Sequence, residues 1–246
     1  MYRPVDSVSG GNPTFQLGMM GTVSFETAIR FIRFLPRRIP RKIGNAIFHM
    51  RHGRPNAPDG FDARTGLDTA ANLPVYKLDA VSRNYIHSMG YQPLPEDVFR
   101  ALIAEVPVDP REFTFVDLGC GKGKPLFLAS EMGFKKIIGI ELSPTLAAIA
   151  TQNLAKWNRP SPPITILCCD VVAFRWPKEP LVVFMHNPFG RAVMAQVMES
   201  LHAAWPADSM RVWIAYYSPA LAPYMQSLPW LSPCPSQTGK IYRCVQ

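Results

Sequence analysis

The sequence predicts an α/β fold built on a doubly wound, mostly parallel sheet. Three observations carry the prediction. The segment Phe115-Val-Asp-Leu-Gly-Cys-Gly-Lys-Gly-Lys124 is an apolar strand that ends in an acid and runs into a loop with glycines at 119, 121 and 123. Such a loop lets a ligand lie on backbone N–H groups, because glycine has no Cβ to hold it away. A second apolar strand, Ile137-Ile-Gly-Ile-Glu141, also ends in an acid. Strand-like and helix-like stretches then alternate to the end of the chain, the pattern of a parallel sheet with helical crossovers. Strand, glycine loop, helix, strand and acid together form the nucleotide-binding half of a doubly wound fold.

Taken in order, residues 1–20 are rich in Gly, Ser and Met and show no period, so they are expected to be mobile. From Phe25 a helical period appears. Phe25, Ala28, Ile29, Ile32 and Leu35 share one face, Arg30, Arg33 and Arg37 gather on the other, and Pro36 and Pro40 end the helix. Residues 52–60 read as a linker. Residues 61–93 hold polar groups that packing does not explain, among them Asp62, Gly66-Leu-Asp-Thr69 and Tyr91-Gln-Pro93. Pro95 opens a helix with Val98, Leu102, Ile103 and Val106 on its buried side.

The first strand of the glycine-loop unit covers 114–118, its helix 124–132 and the second strand 136–141. Ser143-Pro144 starts a helix to 157, as a cap followed by proline does. Strands follow at 164–168 and 181–186, a helix at 191–204, a strand at 211–217, a short helix after Pro219 and a last strand at 240–245. Two domains are expected: a basic N-terminal extension, 1–58, and an α/β domain, 59–246.

The chain of 246 residues is 48% hydrophobic, enough for one α/β core, and has no apolar run of the 18 or so residues that a membrane-spanning helix needs. Met1-Tyr-Arg-Pro-Val-Asp6 does not read as a signal peptide. The five cysteines, 120, 168, 169, 234 and 244, show no C-x-x-C spacing and suit reduced thiols in a cytoplasm. The net charge of +8 is uneven: residues 27–58 carry eight Lys and Arg and no acid, which equals the whole excess. The rest of the chain is neutral. Neither a Ser-His-Asp order nor a metal-ligand cluster is visible, and no metal is expected.

The loop is spaced G-x-G-x-G and follows an Asp, whereas dinucleotide enzymes usually carry G-x-G-x-x-G. With Asp117, Glu141, Asp170 and Asn187-Pro-Phe189 in order at strand ends, residues 113–217 resemble the class I S-adenosylmethionine (SAM) methyltransferases. The resemblance implies a Rossmann-like seven-stranded sheet whose last strand, at 240–245, is antiparallel. It implies SAM as cofactor. Gly119, Gly121 and Gly123 would pack against the amino-acid end of SAM, with Asp117 near its ammonium. Glu141 would accept from both ribose hydroxyls, and Asp170 would meet the adenine amino group. Lys122 and Lys124 are expected to be solvated and to point outward.

The tripeptide Asn187-Pro188-Phe189 is similar to the Asn/Asp-Pro-Pro-aromatic motif of enzymes that methylate amino or amide nitrogens, in which the Asn and the following carbonyl hold the target nitrogen. Here the second proline is absent and the aromatic comes one place early, which disfavours a flat nucleobase and favours an amine. His186 beside it is a candidate base with a pKa near neutrality, or a buried strand-end histidine. Tyr91-Gln-Pro-Leu-Pro95 is similar to the segment ahead of the glycine loop in two groups of lysine methyltransferases that lack a SET domain. In the order of its motifs the chain also resembles a bacterial family of methyltransferase-like proteins without an assigned substrate.

The expected function is methyl transfer to nitrogen, with protein lysine the favoured acceptor. The alternatives are a nucleic-acid N-methyltransferase, whose basic extension would grip phosphate, and a SAM-binding regulator without chemistry. Residues 25–54 are also expected to meet an anionic membrane surface, which implies a cytoplasmic protein peripheral at the inner face.

Overall fold

A computed structural model of the chain describes residues 59–70, 91–205 and 211–245, and the backbone of two three-residue strands. Two compact units divide the chain, Met1–Ile47 and Phe48–Gln246. In the first, β1 (Thr14–Gln16) pairs antiparallel with β2 (Thr22–Ser24). Strands this short leave no period to read in the sequence. The expected amphipathic helix from Phe25 and the basic stretch to residue 58 lie outside the described residues.

The second unit opens with a one-and-a-half-turn helix, α1 (Gly60–Thr65), followed by α2 (Glu96–Ala104). Then come β3 (Thr114–Leu118), α3 (Lys124–Glu131), β4 (Lys136–Glu141), α4 (Pro144–Lys156) and β5 (Ile164–Cys168). The remainder is β6 (Leu181–His186), α5 (Arg191–Ala204), β7 (Val212–Tyr217), α6 (Ala222–Gln226), β8 (Leu231–Cys234) and β9 (Lys240–Cys244).

Seven strands form one sheet in the order β5-β4-β3-β6-β7-β9-β8. The first five are parallel, and β9 runs antiparallel to both β7 and β8. From β3 the chain winds outward through β4 to β5, then returns to the other side of β3 for β6 and β7. The carboxyl ends of β3 and β6 therefore flank a topological switch point, where open α/β sheets form their ligand crevice.

Both sheet faces are covered, which is why β3 and β6 read as unbroken apolar runs. On one face Val116, Leu118, Val183 and Met185 pack with Met194, Val197 and Met198 of α5. On the other Phe115, Val182 and Phe184 pack with Phe99 and Leu102 of α2 and with Phe127 of α3. Phe99 stands edge-on to Phe115 and Phe184, at 5.8 and 5.2 Å between ring centroids. Full burial of such a ring contributes about 2–3 kcal/mol, so this triad is a main anchor of α2. Here the structure corrects the sequence reading. Phe99, not Val98, takes the core position of α2, and Val98 is half-buried.

The strand boundaries of the second unit agree with expectation to within a residue, apart from β8, which the sequence reading left out as it did β1 and β2. Pro233 disguises it, since proline cannot donate to a ladder. β8 is an edge strand and tolerates the proline there.

A chain of ion pairs fastens the segments outside the sheet. Arg64 of α1 meets Glu96, Glu96 meets Arg100 at 2.9 Å, Arg100 meets Glu131 of α3, and Glu131 also meets Arg159 beyond α4. None of the helices among the described residues is long and apolar enough to cross a membrane.

Candidate functional site

The cavity of interest opens at the switch point. Its wall includes Asp117 and Gly119 from the end of β3, Glu141 from the end of β4, Asp170 beyond β5, and His186, Asn187, Pro188 and Phe189 from the end of β6. Residues up to 72 positions apart thus meet because parallel strands deliver all their carboxyl ends to one edge.

The glycine loop approaches its neighbours too closely for side chains. A Cβ on Gly119 would lie 2.7 Å from Cβ of Pro188, and one on Gly121 would run into the ring of Tyr91. Both residues also have positive φ, 91° and 56°, which favours glycine. Gly123 differs. It caps α3 and faces Phe127 and Ala150, so it serves helix packing and does not line the cavity.

Glu141 is buried, and its carboxylate ties two elements together. Its Oε2 accepts from Gly121 N–H and its Oε1 from Ser143 N–H, each at 2.8 Å. Burial raises its pKa, and these N–H groups oppose the rise. Its four lone pairs exceed these backbone donors, so the carboxylate can still accept from a ligand hydroxyl.

Asp117 is fully buried, and its Oδ2 has no hydrogen-bond partner among the described residues. Burial, and secondarily the Glu141 charge, push its carboxyl well above the usual range. Such an orphaned acid beside a second carboxylate suits a cationic ligand group. Asp170 accepts from Val172 N–H at 3.0 Å and caps a 3-10 turn, Val171–Ala173, at the rim. A paired acceptor, an orphaned acid and a glycine cradle are groups that could hold SAM: Glu141 would accept from the ribose, Asp117 would meet the ammonium, and Gly119 and Gly121 would leave room for the amino-acid end.

At the end of β6, Asn187 adopts φ 44° and Ser218, at the end of β7, adopts φ 48°. The Asn187 amide donates to the Ser218 carbonyl, and its Oδ1 accepts from the Tyr216 hydroxyl at 2.8 Å and from Ala220 N–H at 3.1 Å. The side chain therefore bridges two loops. His186 stands edge-on to Tyr217 at 4.9 Å, and burial lowers its pKa to about 4, so at neutral pH its imidazole is uncharged. The expectation of a pKa near neutrality is corrected by that burial. Phe189 is half-buried against the α5 side of the core.

The largest departure concerns the loop lysines. Lys122 and Lys124 do not point into solvent; they are 2% and 1% exposed. Lys122 pairs with Asp68 at 2.7 Å and Lys124 pairs with Asp59. Asp59 also caps α1 by accepting from Phe61 and Asp62 N–H. Burial alone would raise the Asp59 carboxyl, but Lys124 and these N–H groups outweigh it and hold it low. The polar residues of 61–93 find their roles here too. Asp62 accepts from Thr69 and Ala70, and the Tyr91 hydroxyl donates to the Thr69 carbonyl, which sets the Tyr91 ring over Gly121. The signal in the sequence was two acids and two lysines without local partners, but only the fold pairs them.

A family model described as a methyltransferase domain matches residues 115–206. A comparison with curated proteins finds no match. Solved structures similar to the chain include a predicted N6-adenine-specific DNA methylase from Listeria monocytogenes, with 17% identity over 63% of this chain and 52% of that one, at TM-score 0.46. TrmN from Thermus thermophilus is 15% identical over 62% of this chain and 49% of that one, at TM-score 0.47. The ribosomal protein L11 methylase from Lactobacillus delbrueckii subsp. bulgaricus is 16% identical over 61% of this chain and 77% of that one, at TM-score 0.45. The match spans about half the length of the Listeria and Thermus proteins. On a sheet of this strand order, with its glycine loop and paired strand-end acids, the match at 115–206 gives the chain a SAM-dependent methyltransferase domain.

Proposed function

We propose that the protein transfers the methyl group to a nitrogen, with a lysine side chain of a protein as the favoured acceptor. The observation that carries this reading is the place of Asn187-Pro188-Phe189: it lines the cavity at the end of β6, with Pro188 against Gly119 of the cofactor loop. Phe189 packs on the core, which supports an acceptor that needs no free stacking platform. When bound, SAM supplies an electrophilic methyl group on a sulfonium. The chain's residues then have to place a nitrogen lone pair in line with that methyl, and orientation of this kind is worth up to roughly 7–11 kcal/mol. Asn187 Oδ1 already serves two donors, so its contribution in this conformation is to fix the turn. The main chain of that turn and the neutral His186 are the acceptors on offer to a substrate N–H. A lysine ammonium sheds its proton before its lone pair can attack, and His186, uncharged at neutral pH, can then accept a hydrogen bond from the N–H that remains.

A second reading, methylation of a nucleic-acid nitrogen, is favoured by the eight basic residues of 27–58, which suit phosphate. The same stretch suits an anionic membrane surface, and we place the protein in the cytoplasm, peripheral to the inner face. The test is incubation with methyl-labelled SAM and fractionated lysate. Label in protein, stable to nuclease and lost when acceptor lysines are blocked, supports the lysine reading; label in RNA or DNA moves the second reading to first place.

A further inference from the structure

The segment 59–70 is fastened to the glycine loop by charge. Lys122 and Lys124 flank Gly123, are almost wholly buried, and point to Asp68 and Asp59. Each ammonium also lies near an aromatic ring of the same region, Lys122 5.7 Å from the centroid of Tyr91 and Lys124 5.4 Å from that of Phe61. Asn153 of α4 clamps the seam: its Nδ2 donates to the carbonyls of Asp68 and Lys122 at 2.9 and 3.0 Å, and its Oδ1 accepts from Asp68 N–H at 3.0 Å. Tyr91 and Lys124 stand on the cavity wall itself.

This arrangement has an electrostatic consequence. The cavity must hold a ligand with a sulfonium and an ammonium, yet two lysines sit in the loop that cradles it. Without their aspartates they would oppose that ligand, because charges near a low-dielectric cavity are poorly screened. We propose that Asp59 and Asp68 are specificity-determining residues that cancel the two loop lysines and so set the preference of the site for the cationic methyl donor over its neutral-sulfur product. The demethylated product, S-adenosylhomocysteine (SAH), keeps the ammonium and loses only the sulfonium charge. The ratio of SAM to SAH affinity therefore isolates this effect from general damage to the site.

The proposal rests on the SAM assignment. Its test is calorimetry on the full chain at pH 6.5 and low salt, with SAM and SAH as probes. Asp68→Asn should weaken SAM about tenfold more than SAH, the order expected for one unit charge at roughly 10 Å and an effective dielectric of about 20. The double variant Asp68→Asn with Lys122→Met removes the pair as a unit and should bring the ratio back to within about twofold of the unaltered chain. Equal weakening of both ligands, or a ratio the double variant does not restore, would show that the pair only fastens the segment and would overturn the proposal. If Asp68→Asn does not fold, Asp59→Asn and its double variant with Lys124→Met carry the same comparison. Failure of the unaltered chain to bind either ligand would overturn the SAM assignment itself, and this proposal with it.

Discussion

Asp117 and Glu141 share one cavity wall but receive different treatment from their surroundings. Glu141 holds two backbone N–H groups, whereas Asp117 is buried with an unpartnered oxygen. Removing Glu141 should therefore cost both loop order and ligand acceptors. Glu141→Ala is expected to weaken SAM by about 10- to 100-fold in calorimetry, the effect of roughly 1–3 kcal/mol from lost charged hydrogen bonds. For Asp117 the sign of the pH effect follows from its raised pKa. An acid whose folded pKa is raised favours folding below its unfolded value, near 4, and that contribution is lost as pH rises through the folded value. Asp117→Asn should therefore gain stability relative to the unaltered, ligand-free chain as pH goes from about 4 to 8, while binding SAM more weakly. Parallel denaturation curves at all pH values would contradict this. His186 acts in the opposite sense: with its pKa lowered to about 4, its contribution is present above 6.5 and is lost as pH falls. Its imidazole resonances should titrate near 4. That Asp117, Gly119, Glu141 and Asn187 gather at one cavity was legible in their strand-end positions. Their protonation and partners were not, because burial is a property of the assembled fold.

At the scale of elements, the ends of β6 and β7 are held together by one amide. Asn187 reaches the Ser218 carbonyl, the Tyr216 hydroxyl and Ala220 N–H, and both Asn187 and Ser218 sit at positive φ. Asn tolerates that conformation better than most residues. Asn187→Ala should leave SAM affinity within about threefold and lower turnover by one to three orders of magnitude, the range seen when one positioned polar group is lost from a reaction site. Tyr216→Phe, which removes a single one of these bonds, should have a smaller effect of the same kind. An equal loss of SAM affinity would make the bridge part of the cofactor site. The parallel strands were legible element by element since buried apolar runs bounded by Pro and Gly leave little choice. β8 was not, because a proline-bearing edge strand is stabilised by β9, which pairs with it, and not by its own pattern.

At the scale of the molecule, salt links join what the sheet does not. The run Arg64, Glu96, Arg100, Glu131, Arg159 couples α1, α2, α3 and the loop after α4. Glu131→Gln removes two ion pairs at once, leaving Arg100 its pair with Glu96, and should cost about 1 kcal/mol in denaturant titration at low salt, with the difference from the unaltered chain shrinking in 1 M NaCl. The eight basic residues of 27–58 hold the whole excess charge of the chain. A chain beginning at Asp59 is expected to fold and bind SAM but not to sediment with anionic vesicles. The full chain should sediment with them, less so as salt rises, because each Lys or Arg near such a surface contributes about 1 kcal/mol. If the full chain ignores vesicles and shifts duplex nucleic acid with a steep salt dependence, the membrane reading fails.

By itself the sequence determined the parallel strands, the glycine loop and the acids at the strand ends, because each of these is a local pattern: period, turn chemistry and a charge at the end of an apolar run. The tertiary structure alone decided that Lys122 and Lys124 are buried, that Asp59, Asp68 and Tyr91 close over the loop, and that Asn187 is committed to its neighbours. Those facts depend on which distant side chains meet and how little water remains between them. Partners 54 and 65 residues apart leave no period in a sequence from which to read them.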